Sequence, residues 1–263
     1  SFHRRLVERN PAANCAGDMN AQLSEREFTS TELLISVIAE LLRGVRHVAV
    51  GAASPIPGSA ALMARAQAND AMRVSILGSP RHNSFTDGGV ELFDLAAQGR
   101  IDAFFLGGGQ IDGEGNINLV GTGSYPNVDV RWPGSFGSAY LYFLVPRVIL
   151  FREEHSRRVM VRKVDFVSSP GASEEGTYRR GGPYAMVTSL GVFDFDRAQR
   201  RFRLKSVHPG HTMEEILDNT GFDLDIPTDW KSTPVPSQDM LALIRSRVRE
   251  EVAAVYPRFA ARL

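Results

Sequence analysis

The sequence predicts an open α/β fold: a mostly parallel sheet flanked by helices, with a strand-rich C-terminal half. Three observations carry this. Apolar runs of strand length alternate with longer stretches of helical spacing through the first half of the chain. Each early apolar run empties into a loop of breakers: 47–50 into Gly51, 72–77 into Gly78-Ser79-Pro80, and 101–106 into Gly107-Gly108-Gly109. Hydrophobic residues at 43% and charged residues at 23% are ordinary soluble globular usage, which argues against a disordered, fibrous or membrane-spanning chain.

Thr29 and Glu32 have capping-box spacing, and Leu33, Leu34, Val37, Ile38, Leu41 and Leu42 repeat at helical spacing before Gly44, so a helix is expected there. Residues 47–50 are a short buried strand, and a Pro-rich loop leads to a second helix over 60–68. A strand over 72–77, a helix over 90–98 closed by Gly99, and a strand over 101–106 complete the alternating half. Downstream, 140–151 and 159–167 are strand-like and split by a charged turn at 152–158, in which Arg157 and Arg158 are expected as surface charge. Residues 184–195 and 201–207 predict a hairpin around Asp196-Arg197-Ala198-Gln199. Helices are expected over 213–219 and 240–255, after a polar linker at 227–237.

A domain usually takes about 100–200 residues. The 263 residues are therefore expected to divide into an N-terminal arm, 1–28, and one α/β domain, 29–263, with Met19 as a natural start for the compact part. Thirty Lys+Arg balance thirty Asp+Glu, so nucleic acid and anionic membrane surfaces are not expected partners. Cys15 has no second cysteine to bridge, the first residues lack an apolar run of signal-peptide length, and 33–42 is too short to span a bilayer; a reducing, cytoplasmic setting is expected.

The chemistry-bearing candidates lie in loops. Gly107-Gly108-Gly109-Gln110 ends a strand, lets backbone approach a ligand or another strand, and is followed by Asp112, Asn116 and Asn118. Neither a phosphate loop nor an EF-hand fits, because no Gly-Lys-Ser/Thr and no closing acid are present; on the residues alone a structural turn is expected, with a binding site as the alternative. Gly134-Ser135-Phe136-Gly137-Ser138 is a turn whose consecutive N–H groups can form an oxyanion nest, or merely turn the chain. Ser79, Arg81 and His82 follow a strand end, a position equally suited to substrate contact or to a solvated loop. His208-Pro209-Gly210-His211 lacks further metal ligands and is expected to lead into a helix capped by Thr212 and Glu215; no metal site is expected.

Taken together, four segments resemble the β subunit of family I CoA transferases, closest to the glutaconate CoA-transferase type. They are Gly107 to Asp112 with Gly115-Asn116-Ile117-Asn118; the Gly134 to Ser138 loop; Val164-Asp165-Phe166-Val167-Ser168-Ser169-Pro170-Gly171; and His208-Pro209-Gly210 running to Asn219-Thr220-Gly221-Phe222-Asp223. The resemblance covers roughly 33–244 and implies the family's NagB/RpiA-like fold. It also implies a homologous α subunit as partner in a heterodimer or heterotetramer, and an acyl-CoA bound where the two meet. No bound cofactor is implied; coenzyme A enters as part of the substrate. Carried onto this sequence, Ser79, Arg81, Gly108, Gly109, Gln110, Asn116, Gly134, Ser135 and Phe136 would contact substrate, and Gly137, Ser138 and His82 would serve catalysis.

One departure bears on the reaction. The family carries a glutamate just after a strand, in a Glu-Ser-Gly type motif, whose carboxylate attacks the thioester. Anchoring on Gly78 places Ile76 at that position, and an isoleucine has no nucleophilic atom. Related proteins hydrolyse a carbon–carbon bond of steroid-derived CoA esters with a carboxylate of the α subunit, or decarboxylate glutaconyl-CoA with a cysteine at the glutamate position. No cysteine follows Cys15 here. Hydrolase or lyase chemistry on an acyl-CoA is therefore expected, with a base from the α subunit or from His82, Glu91 or Glu114. The alternatives are a true CoA transferase with a displaced carboxylate, Glu91 or Glu114, and a non-catalytic CoA-binding subunit.

Overall fold

The computed structural model describes residues 27–86 and 89–263. Cys15, Met19 and most of the expected arm lie outside the described residues. The first helix, α1 (Ser30–Leu41), begins with the predicted capping box: Thr29 Oγ1 accepts the Glu32 N–H, and Glu32 accepts the Thr29 N–H in return. β1 (His47–Val50), α2 (Pro55–Gln67), β2 (Arg73–Ile76), α3 (Gly89–Ala97) and β3 (Ala103–Leu106) then alternate as expected. The second helix starts five residues earlier than its apolar pattern indicates, since Pro55 has the backbone angle of a first helical turn.

β1 pairs in parallel with β2 on one side and β3 on the other, so the chain moves outward to β2 and then crosses back over β1. Two short hairpins follow, β4 (Gln110–Ile111) with β5 (Ile117–Asn118), and β6 (Gly121–Ser124) with β7 (Asn127–Arg131). The aromatic run at 138–144 is a helix, α4 (Ser138–Leu144), and not the expected start of a strand; it buries Leu141 and Tyr142 and stops before Pro146. β8 (Arg147–Phe151) joins β3 in parallel and β9 (Pro183–Val187) joins β8.

The strand expected at 159–167 does not form. That segment runs irregularly because its backbone bonds to the β4–β5 hairpin: the Ile111 N–H donates to Val159 O, and the Val161 N–H to Ile111 O. The run at 184–195 is two strands split by a tight turn at 188–190, where Thr188 Oγ1 accepts the Leu190 and Gly191 N–H groups. β10 (Gly191–Asp196) and β11 (Arg201–Val207) make the predicted hairpin, and β12 (Lys231–Ser232) closes an eight-stranded sheet ordered β12-β11-β10-β9-β8-β3-β1-β2.

α5 (Met213–Asn219) is the expected helix after His211. The last one is built in pieces: α6 (Gln238–Leu243), a π-helical stretch (Ile244–Val248), α7 (Arg249–Ala253) and α8 (Pro257–Ala260). The sheet separates two apolar layers. One holds α1, α2 and the C-terminal helices around Ile35, Ile38, Met63, Ile76 and Ile244; the other holds α3, α4 and α5 around Phe104, Leu141, Tyr142, Phe193 and Phe202. No helix among the described residues is long and apolar enough to cross a membrane.

Candidate active site

In an open α/β sheet, ligands bind outside the carboxyl ends of the strands where the strand order reverses. Here that point lies between β1 and β3. A crevice of about 740 Å³ opens there, lined by Ser54 to Pro57 at the start of α2, Phe105 to Gly107 at the end of β3, Phe151 to Glu154 after β8, and Ser189. The charged turn after β8 is therefore part of a cavity wall, a placement that its sequence did not reveal.

The wall is fixed by specific bonds. The Arg152 N–H donates to Val187 O at 3.2 Å and the Ser189 N–H to Glu153 O at 3.0 Å, so the turn is stitched to the end of β9. Glu154 accepts from Ser156 Oγ at 2.6 Å, pairs with Arg158, and lies 3.4 Å from Arg152. The Ser156 hydroxyl and then the Arg158 guanidinium hold its carboxyl below the usual carboxylate range. Behind the turn, the buried His155 ring bridges Thr188 Oγ1 at 2.8 Å and Thr220 Oγ1 at 2.9 Å. His208 spans Thr233 Oγ1 at 2.9 Å and the Thr188 carbonyl at 3.0 Å. Burial lowers both rings to about 4, which keeps them neutral and places them in the scaffold. His211 faces Glu215 at 2.9 Å.

Three of the singled-out segments, 107–118, 134–138 and 164–171, are joined to one another by hydrogen bonds, and the first begins at the crevice with Gly107. Trp132 lies so close over Gly109 that a Cβ there would sit 2.2 Å from its ring, which explains why the strand leaves on glycine. Gln110 and Asn116, expected to contact substrate, hydrogen-bond within the chain, and Asn116 also lines a cleft with Glu114 and Ser173. Gln110 Nε2 donates to Asp165 at 3.1 Å and its Oε1 accepts the Asp165 N–H at 2.9 Å; Asn116 Nδ2 donates to Asp112 at 3.1 Å and its Oδ1 accepts the Gly171 N–H at 3.0 Å. These bonds tie 107–118 to 164–171, and Gly108 packs on Ile117 in the same hairpin.

In the 134–138 loop, Gly137 stands before α4 with φ of +69°, and a Cβ there would meet the Phe93 ring at 2.5 Å. Ser138 is buried, its Oγ 3.0 Å from Ser169 Oγ, so it points inward. Gly134 faces open space, and Phe136 is 74% exposed against Phe93 at a ring separation of 5.9 Å.

The segment after β2 is elsewhere. It folds back along the sheet edge, with the Ile76 N–H donating to His82 O at 2.7 Å. Ser79 Oγ accepts the His82 N–H at 3.0 Å, so this serine closes a turn. His82 is buried between Arg65, 3.2 Å from its Nδ1, and Glu251 of α7, 3.1 Å from its Nε2, and burial first of all lowers its pKa. It does not reach the crevice. Arg81 lines a separate cleft on the sheet edge with Arg65 and Arg73. Ile76, the expected place of the family glutamate, is the last residue of β2 and is fully buried in the α2 layer. The first residue beyond the strand is Leu77, whose side chain packs toward the opposite layer. Glu91 is held by Thr86, and Glu114 lines a further cleft with Glu174 and Arg200.

A family model described as Coenzyme A transferase matches residues 29–219. The chain belongs to the coenzyme A transferase family. Its relatives place it with the β subunits. It is 33% identical over 171 residues to the β subunit of the 3-oxoadipate CoA-transferase of Pseudomonas knackmussii, covering 62% of this chain and 65% of the relative. It is likewise 33% identical over 151 residues to the β subunit of the glutaconate CoA-transferase of Acidaminococcus fermentans, covering 55% and 56%. The chain thus spans less than two thirds of the length of these relatives.

Among solved structures, IpdAB of Rhodococcus jostii RHA1 superposes with a TM-score of 0.75 at 26% identity over 84% of this chain and 94% of that one. The decarboxylase AibA/AibB superposes with 0.71 at 25% identity over 88% and 96%. The IpdB subunit of Rhodococcus jostii RHA1, 33% identical over 159 residues (59% and 62%), is named a cholesterol ring-cleaving hydrolase. The mostly parallel sheet with flanking helices is the arrangement expected from the resemblance.

Proposed function

We propose that this chain is the β subunit of an acyl-CoA enzyme that pairs with a homologous α subunit in a heterodimer or heterotetramer, acts in the cytoplasm, and changes the acyl group without transferring its CoA. The observation that carries this reading is the end of β2. Ile76 is core, Leu77 is apolar, Gly78 has no side chain and Ser79 is consumed in a turn, so the position just beyond the strand offers no carboxylate for a glutamyl-CoA intermediate. The relatives support it, since they include a subunit named as a ring-cleaving hydrolase and a structure of a decarboxylase. A transferase with a displaced nucleophile at Glu91 or Glu114 is less favoured, because one is bonded to Thr86 and the other lines a different cleft.

The test is co-expression with an α-type subunit from the same source, incubation with an acyl-CoA panel, and mass spectrometry of products. Conversion without any acceptor acid, with CoA retained on a shortened or opened product, is expected. Acceptor-dependent exchange, or a covalent CoA thioester trapped on this chain by borohydride or hydroxylamine, would overturn the reading.

A further inference from the structure

We infer that Glu153 is the general base of this site, an inference that rests on the non-transferring reading above. The sequence candidates for a base on this chain are engaged or displaced: His82 lies between Arg65 and Glu251, Glu91 bonds Thr86, and Glu114 lines another cleft. Two carboxylates line the switch-point crevice, and they differ in kind. Glu154 is immobilised by Ser156, Arg158 and Arg152. Glu153 is exposed, and its side chain has no hydrogen-bond or ion-pair partner among the described residues.

Its backbone, by contrast, is fixed, because Ser189 donates to Glu153 O at 3.0 Å and Arg152 to Val187 O at 3.2 Å. A free carboxylate on an anchored main chain, facing a cavity at the carboxyl ends of the strands, is what proton transfer to a bound substrate requires.

Hydrolysis within the acyl group uses this carboxylate directly. Glu153 takes a proton from water as the water oxygen bonds to a ketone carbonyl carbon of the acyl group, away from the thioester. The carbon–carbon bond at that carbon breaks, its electron pair leaves on the departing carbon, and that carbon takes the proton from Glu153, so that one water is consumed and CoA stays on the product.

The decisive comparison uses the assembled complex and the acyl-CoA turned over fastest. Glu153→Gln is expected to lower kcat by about 10²- to 10⁴-fold while the dissociation constant for the acyl-CoA changes less than about threefold. Glu153→Asp should recover part of the rate, and Glu250→Gln, exposed on α7, should match wild type. Full turnover by Glu153→Gln, with no covalent adduct in the wild type, would overturn the base assignment alone. An equal loss in affinity and rate would also overturn it, leaving a contact that only holds substrate. A CoA adduct on the wild-type chain, scored before any variant is made, would remove the non-transferring reading and the base with it.

Discussion

Ile76 and Leu77 differ by one position and by a whole layer of the protein. Successive side chains in a strand point to opposite faces, so the last residue of β2 enters the α2 layer while the next turns to the other side. Counting back from Gly78 finds the region but cannot find the face. Ile76→Glu is expected to leave an unpaired carboxylate in a fully buried site and to destabilise by about 3–5 kcal/mol, whereas Leu77→Glu, at a half-buried position, should lower the chemical-denaturation midpoint clearly less. If both variants melt alike, the assignment of faces is mistaken. At Gly137, positive φ and the Phe93 ring act together, so Gly137→Ala should cost about 1–3 kcal/mol in the same assay.

The helix that opens the described fold shows how an element is tied to distant chain. Glu32 caps α1 locally through Thr29, and it also receives Arg245 at 2.6 Å from the C-terminal helices. Burial alone would raise its pKa, but the bonds from Arg245 and Thr29 outweigh it and the net shift is downward from 4.5. A lowered carboxyl stabilises the fold above its unfolded value and loses that contribution as pH falls through the folded one. Glu32→Gln should therefore lower Tm at pH 7, and the gap to wild type should close on acidification below about 4.5.

The capping box was legible because it is local. Arg245 was not, since more than 200 residues separate it from its partner. The aromatic run at 138–144 was misleading for a related reason: its residues have strand propensity, but packing on the sheet and the following Pro146 make it a helix.

Across the whole molecule, two neutral histidines hold the carboxyl-end turns together. His155 and His208 both bond to Thr188, and through it they join the β8 turn, the β9–β10 turn and the segments at Thr220 and Thr233. With folded values of about 4 against 6.5, the unfolded chain binds protons first as pH falls. Their contribution, up to about 3 kcal/mol each, is complete above pH 6.5 and is lost progressively toward pH 4. Wild-type Tm should fall across that window, and a His155→Gln, His208→Gln double variant should show a flatter profile from a lower plateau. At the same scale, the C-terminal helices cover the α1–α2 layer through Ile244, Val248 and Val252. Removing residues 238–263 should leave a chain that aggregates or binds a hydrophobic dye.

By itself the sequence determined the alternating elements, the glycine-marked strand ends, the family and the lack of a nucleophile after β2. These are encoded in residues near one another, where periodicity, caps and turn chemistry act. Only the tertiary structure decided which loops share a cavity. It bonded Gln110 to Asp165 and Asn116 to Asp112, carried His82 to the sheet edge, and brought Arg152 to Glu154 to the point where the strand order reverses between β1 and β3. The physical reason is that strand order is set by long-range pairing and layer packing, and neither leaves a local mark on a charged turn.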